Sequence, residues 1–557
     1  MKAALLTALG VFFSISIAYA QWQPDGVPVC TAANEQRSVV ACSGGSVFLA
    51  WRDSRNGGSI YAQSLSGNGY ALWAPDGVLI GPAGGDAPSL SIISGFDGAY
   101  IAWENGEGSN ADIYVQRVNG NGVAQWTAGG VAVCTAPGGQ FSPMMSVTLN
   151  GVLNVAWVDG RDFATNNVDV YANRVSSTGT VLHGPNGFAV YPGLGEQRIG
   201  AFLPFDDEGT SLIVWEDERN LATLGSDIYG AFITSLGIVL PLPICTAPQH
   251  QLLPNAIRTE SSGAIIAWSD ERAGRIFAQR VDSTSTAVWP LNGIAVGNTG
   301  NVGPFLGTRP SIVGDGEGGA IIAWARWNGP DVDLFAQHVG WSGTRLWNPA
   351  DVPVCDDTFS QSLGNSSIAT DNLGGAVITW TDNRAGVDDV YAQRISYAGA
   401  PQWTANGVGV CVASGLQEHI ATVPDMQGGA IVAWVDERAD FLNFDIYANR
   451  VYNGQSPPTS IGTAHTIAGL AQNFPNPFNP ATSIPFSLAR AGAVTLRIYD
   501  VSGAHVATLV DEHREAGEHI ARWNGRDARG KAAPTGIYFV RLEAAGVSET
   551  RKIAFVK

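Results

Sequence analysis

Short apolar runs that close on tryptophan recur along most of this chain. Eight of them end at Trp51, Trp103, Trp157, Trp215, Trp268, Trp324, Trp380 and Trp434, at intervals of 52, 54, 58, 53, 56, 56 and 54 residues. In the best-preserved copy, Gly428-Gly429 leads into Ala430-Ile431-Val432-Ala433-Trp434 and then Val435-Asp436-Glu437-Arg438. A second run follows, Asp445-Ile446-Tyr447, with counterparts at Asp112-Ile113-Tyr114, Asp169-Val170-Tyr171, Asp227-Ile228-Tyr229 and Asp389-Val390-Tyr391. A third stretch, such as Gly130 to Cys134 or Gly407 to Cys411, comes after a turn, and a fourth, such as Pro310-Ser311-Ile312-Val313, precedes the Gly-Gly turn. Runs this short, punctuated by Gly and Asp, predict strands. Those before Trp268 and Trp324 read Ala-Ile-Ile-Ala, with no polar alternation, as befits a strand buried on both faces.

Four strands per unit, repeated at this period, predict the blades of a β-propeller, in which each sheet is covered by its two neighbours. The ends of the repeat predict ring closure. Gln21-Trp22 and Gly26-Val27-Pro28-Val29-Cys30 read as the last strand of a unit placed first, and the final unit stops after Val451 without that strand. The expectation is an all-β chain: an eight-bladed propeller over residues 21–452 whose N-terminal strand completes the last blade and leaves no open sheet edge.

Charge narrows the partners. Residues 473–557 hold 11 Lys and Arg against 8 Asp and Glu, leaving 20 against 41 in residues 1–472. So acidic a body argues against nucleic acid, whose phosphates need a basic stripe. Between Ala3 and Arg529 every cation is Arg, which suits multi-donor hydrogen bonding within a scaffold. At the start, Met1-Lys2, an apolar run from Ala3 to Ile17 and Ala18-Tyr19-Ala20 predict a secretory signal over residues 1–20, cleaved before Gln21. No other segment reads as a transmembrane helix.

The repeat ends at Val451. Residues 453–472 read as a linker, and residues 473–557 as a small β-sandwich of about seven strands. Here stand Asn473-Phe474-Pro475-Asn476-Pro477-Phe478-Asn479-Pro480, Asp500-Val501-Ser502-Gly503, Trp523-Asn524-Gly525-Arg526-Asp527 with Gly530, and Gly536-Ile537-Tyr538. In that order these motifs resemble the type A C-terminal sorting domain of type IX secretion substrates, related in fold to the immunoglobulin-like FlgD domain. The resemblance implies export to the periplasm, passage through the outer membrane by the type IX machinery acting on residues 473–557, and a secreted or cell-surface location. The repeat itself resembles propeller units of secreted bacterial proteins with no assigned activity, which adds fold and not function.

Trp-x-Asp-x-Arg occurs in six of the eight units: Asp53/Arg55, Asp159/Arg161, Asp217/Arg219, Asp270/Arg272, Asp382/Arg384 and Asp436/Arg438. A catalytic pair is needed once, whereas six copies predict scaffolding, with Asp accepting turn N–H groups and Arg tying strands together. The Asp of each Asp-Ile-Tyr and Asp315, Asp371 and Asp425 before Gly-Gly are read as turn residues. Five cysteines, Cys30, Cys134, Cys245, Cys355 and Cys411, share one slot in different units, too far apart for disulfides; Cys30–Cys42 is the one bridge left to test. No catalytic residue, metal site or cofactor is implied; His183, His250, His338 and His419 occupy unlike positions.

Departures from the repeat are the better pointers to function. One unit reads Trp103-Glu104-Asn105-Gly106 and another Trp324-Ala325-Arg326-Trp327. Arg326 and Trp327 are therefore the candidate binding residues, an Arg and an extra Trp suited to a sugar ring. Two functions stay open. One is a non-enzymatic binding or adhesion module for glycan or surface protein. The other is a secreted polysaccharide-degrading enzyme, which requires carboxylates from unlike blades at the axial mouth.

Overall fold

The computed structural model describes residues 22–452, apart from short loop segments of which 299–308 is the longest, and 469–556, apart from short segments between 471 and 491 and at 515–516 and 545–546. The expected signal peptide, residues 1–20, and most of the expected linker lie outside the described residues. Within the linker span, Gly469–Leu470 is a strand. No described helix is long and apolar enough to cross a membrane.

The protein is all-β: an eight-bladed propeller followed by a small immunoglobulin-like sandwich. Blade 1 consists of Gln36–Ser43, Val47–Asp53, Ser59–Leu65 and Val78–Pro82, hydrogen-bonded in that order. Blades 2 to 7 repeat this meander over 90–134, 140–189, 197–245, 251–298, 311–355 and 361–411. Blade 8 takes three strands from the end of the repeat, Gln417–Pro424, Ala430–Asp440 and Asn443–Val451, and its fourth, Val27–Cys30, from the N-terminus. Val27 pairs with Ala448 and Pro28 with Tyr447, antiparallel. First strands of neighbouring blades pack on one another, so they line the axis. In blades 1, 3, 4 and 5 the second strands are buried along their whole length, and all eight repeat tryptophans are fully buried.

The smaller unit has seven strands in two sheets. Gly469–Leu470, Thr482–Leu488 and Gly517–Trp523 form one; His505–Arg514, Gly492–Asp500, Gly536–Ala544 and Val547–Phe555 form the other. Its core gathers Phe478, Trp523, Tyr538 and Phe555, with Phe478 and Phe555 stacked at 4.9 Å. The motifs noted in the sequence support this frame. Phe478 bonds through its backbone to Ala554 and Val556. Asp500 Oδ1 accepts the N–H groups of Ser502 and Ala504, each at 2.9 Å, and so closes the turn at Gly503. The Trp523 indole donates to the Arg526 carbonyl at 2.8 Å.

Candidate functional site

The six Asp–Arg pairs define what the scaffold uses. In blade 8, Asp436 is fully buried. Its Oδ1 accepts the Arg438 backbone N–H and Nε–H, both at 2.8 Å, and its Oδ2 accepts Arg438 Nη2–H and the Trp434 indole, both at 2.6 Å. The guanidinium lies 3.9 Å above the Tyr447 ring, the tyrosine of Asp-Ile-Tyr. Blades 1, 3 and 5 build the same knot on Asp53, Asp159 and Asp270, and blade 7 builds it on Asp382 without the Nε–H bond.

The cysteine slot belongs to this knot, and sequence reading missed the connection. Arg438 Nη2 reaches Cys411 Sγ of blade 7 at 3.1 Å. Cys30, Cys134, Cys245 and Cys355 likewise meet Arg55, Arg161, Arg272 and Arg384, each cysteine on the blade before its arginine. The residue after each cysteine donates its N–H to an Asp or Asn at the start of the next blade's fourth strand: Asp76, Asn186, Asn292, Asn406 and Asp25. Thiol, carboxylate and guanidinium thus clasp five junctions between blades. A signal for this exists in the chain: Asp-x-Arg follows each slot cysteine by 23 to 27 residues. All six cysteines are free, Cys42 included, so the Cys30–Cys42 bridge is absent. Burial pushes the Cys30 and Cys411 thiols up to about 12, which keeps them protonated.

The Asp of Asp-Ile-Tyr accepts loop donors in blades 3 and 4, Gly193 N–H on Asp169 and the Asn220 amide on Asp227, but in blade 7 it departs from its expected role as a turn acceptor. Asp389 is 1% exposed with no donor on either carboxylate oxygen among the described residues. Burial first, and then Asp382, Asp25 and Asp388, push it up to about 6 against the pull of Arg384. Burial and then Asp436 and Asp76 push Asp445 to about 6 as well. A carboxyl whose folded pKa is raised stabilises the fold fully below its unfolded value, near 3.9, and loses that contribution as pH rises through the folded value. The protein is therefore expected to melt higher at pH 5 than at pH 7.5, with the difference reduced in Asp389→Asn. A melting temperature that climbs from pH 5 to pH 7.5 would contradict this.

Three junctions depart from the clasp. Between blades 3 and 4, Tyr191 fills the cysteine slot and Arg219 stacks on it at 4.2 Å. Blades 2 and 6 lose two features together: the Asp–Arg pair and the cysteine ahead of it (Gly81 and Gly297 stand there). Ahead of blade 2 the gap is closed. Gly81 packs on Trp103, whose indole turns to the Pro82 carbonyl at 2.8 Å.

Ahead of blade 6 a cleft opens. A side chain on Gly297 would run into Trp324, its Cβ only 2.1 Å from the ring. Asp351 stands where Gly26, Gly77, Gly130, Gly187, Gly293 and Gly407 seat the tryptophan of their own blades. The result is a cavity of about 360 Å3 bounded by Arg275, Arg326, Arg345 and Asp351, with a small apolar floor of Ala295, Val296, Gly297 and Ala350. Asp351 holds two guanidinium groups side by side, Arg345 at 2.8 Å and Arg326 at 3.3 Å. Arg326 also lies 3.2 Å over the Phe335 ring. Of the two residues singled out in the sequence, Arg326 lines the cleft. Trp327, 40% exposed, is the next residue along the strand and faces the other way. Arg275, Arg345 and Asp351 were not legible as a site.

Residues 481–547 match the FlgD Ig-like domain. That match lies within the smaller unit. No curated protein matches the chain. Among solved structures, the chain is similar to a puromycin hydrolase mutant at 14% identity, over 75% of this chain and 61% of that one, with a TM-score of 0.40. It thus spans about three fifths of that hydrolase. PorZ, an essential bacterial surface component of the type-IX secretion system of Porphyromonas gingivalis, aligns at 11% identity over 94% of this chain and 70% of that one, TM-score 0.36. An ulvan lyase of polysaccharide lyase family PL25 aligns at 10% identity over 68% of this chain and 96% of that one, TM-score 0.40. Likenesses this distant assign no activity here.

Near the axis, carboxylates do gather, but on one blade. Glu196, Glu216 and Glu218 of blade 4 surround Arg198, which meets Glu218 at 2.9 Å and Glu216 at 3.5 Å. Glu216 also accepts the Leu253 N–H of blade 5, and burial raises its pKa. Glu104 of blade 2 accepts the Ser142 N–H of blade 3 at 2.6 Å. Both of these buried glutamates tie one blade to the backbone of the next.

Proposed function

We propose that this chain is an exported, non-enzymatic binding module of the cell surface or medium. Its propeller holds a ligand at the junction of blades 5 and 6, and residues 473–557 direct its passage through the type IX machinery. One observation carries the binding reading. Asp–Arg pairs are committed to the scaffold wherever the repeat is kept, and the junction that abandons the repeat opens onto convergent, undercommitted donors. The delivery reading is supported by the FlgD Ig-like match and by the motifs around it.

In a host with type IX secretion, cells or medium containing the full chain are expected to retain soluble polysaccharide, and those producing only residues 1–472 are not. Polysaccharide recovered at its original size supports binding. Shortened chains would favour the second reading, a polysaccharide-degrading enzyme, for which the one supporting feature is Glu216, with its raised pKa, beside Glu218 and Arg198. Equal retention with and without residues 473–557 would overturn the delivery reading.

A further inference from the structure

Resting on that binding reading, we infer that the cleft between blades 5 and 6 is an oxyanion subsite, taking the sulfate or carboxylate of an acidic polysaccharide. Three guanidinium groups, Arg275, Arg326 and Arg345, gather here against Asp351 and against Asp333, which acts on Arg326 from the neighbouring strand, leaving an excess of one positive charge in a propeller that is otherwise strongly acidic. Asp351 uses one oxygen on Arg345 and the other on Arg326, which holds both guanidinium groups at the wall of the cavity.

A second observation points to a ligand. Arg345 Nε is buried and has no hydrogen-bond partner among the described residues. A buried donor left unpaired is costly, and a bound oxyanion satisfies it. Arg275, at the exposed edge, makes no ion pair among the described residues and adds charge without serving the fold. The apolar floor accommodates the C–H face of a sugar bearing the anion. A nucleic acid backbone, with a charge at every residue, would meet the surrounding acidic surface.

The test uses the purified full chain with dextran sulfate, polygalacturonate, uncharged dextran and sodium sulfate, read by calorimetry. Dextran sulfate or polygalacturonate is expected to bind and uncharged dextran not to. Arg345→Gln is expected to weaken binding tenfold or more, and the exposed Arg275→Gln about threefold, consistent with charge-assisted hydrogen bonds of different burial. Arg541→Gln, on the other unit, serves as the control for diffuse charge and is expected to leave binding unchanged. Acidic polysaccharide bound equally by wild type, R345Q and R275Q would overturn the subsite and leave the binding module standing. Binding of uncharged dextran alone would do the same. Failure of every polysaccharide would overturn both readings, and binding of sodium sulfate alone would restrict the site to a free inorganic oxyanion and overturn the polysaccharide assignment.

Discussion

A chain lacking residues 22–30 is expected to lose cooperative folding of the propeller, the largest single effect anticipated for this protein. That segment does more than add a strand. Val27, Val29 and Cys30 are nearly fully buried, each worth up to about 1.5–3 kcal/mol by area removed from water. Arg438 donates to the Asp25 carbonyl at 2.6 Å, and Val412 N–H to the Asp25 side chain at 2.9 Å. Cys30 supplies the clasp to blade 1, and the Trp22 indole donates to the Gly67 carbonyl of that blade at 2.9 Å. Two junctions and one sheet edge are lost together, a sum comparable to the whole stability of an ordinary domain, about 5–15 kcal/mol. A milder version tests the same seam. Gly26 has φ +88°, and a Cβ there would lie 2.5 Å from the Trp434 ring, so Gly26→Val is expected to lower the denaturant midpoint sharply. Urea unfolding followed by tryptophan fluorescence measures both, and a truncated chain that unfolds in one transition at the wild-type midpoint would refute the closure.

Asp436→Ala is expected to cost roughly 3 kcal/mol, the scale of breaking a buried ion pair from one side. The substitution removes the acceptor of the Trp434 indole N–H, of three donors of Arg438 and of the Cys411 thiol at once. Because the loss lies in the unpaired partners, the double variant Asp436→Ala/Arg438→Ala should cost less than the two single changes added together. Additive costs, or a single-variant cost below about 0.5 kcal/mol in the range of an exposed pair, would remove the clasp from the account of how blades are joined. The matching change at the open junction, Asp351→Ala, should behave differently, since Arg326 keeps its Phe335 ring and faces a cavity that water can enter.

The repeat was legible because its information is local and multiplied. A tryptophan every fifty-odd residues, an Asp and Arg two apart, and a misplaced final strand each recur within one unit, so comparison of the chain with itself reveals them. The same comparison exposed Arg326 as a departure. It left Arg275, Arg345 and Asp351 unmarked. Arg275 belongs to blade 5, whereas Arg326, Arg345 and Asp351 belong to blade 6, and none of the three unmarked residues departs alone in a way that reads as chemistry. The substitution of Gly297 for cysteine and of Asp351 for glycine was readable, but its consequence was not.

By itself the sequence determined the all-β class, the eight blades, the closure by residues 27–30 and the scaffolding role of the repeated Asp–Arg pairs, because strand length, turn residues and periodicity are properties of neighbouring residues. Tertiary structure alone decided what meets across a junction. The fourth strand of one blade packs on the end of the second strand of the next, so a cysteine slot and an Asp–Arg pair that look like separate features become one clasp. Where both partners of that contact change, as at Gly297 and Arg326, and Asp351 replaces the glycine that seats a blade's tryptophan, the space between two blades is left unfilled and three arginines converge on it.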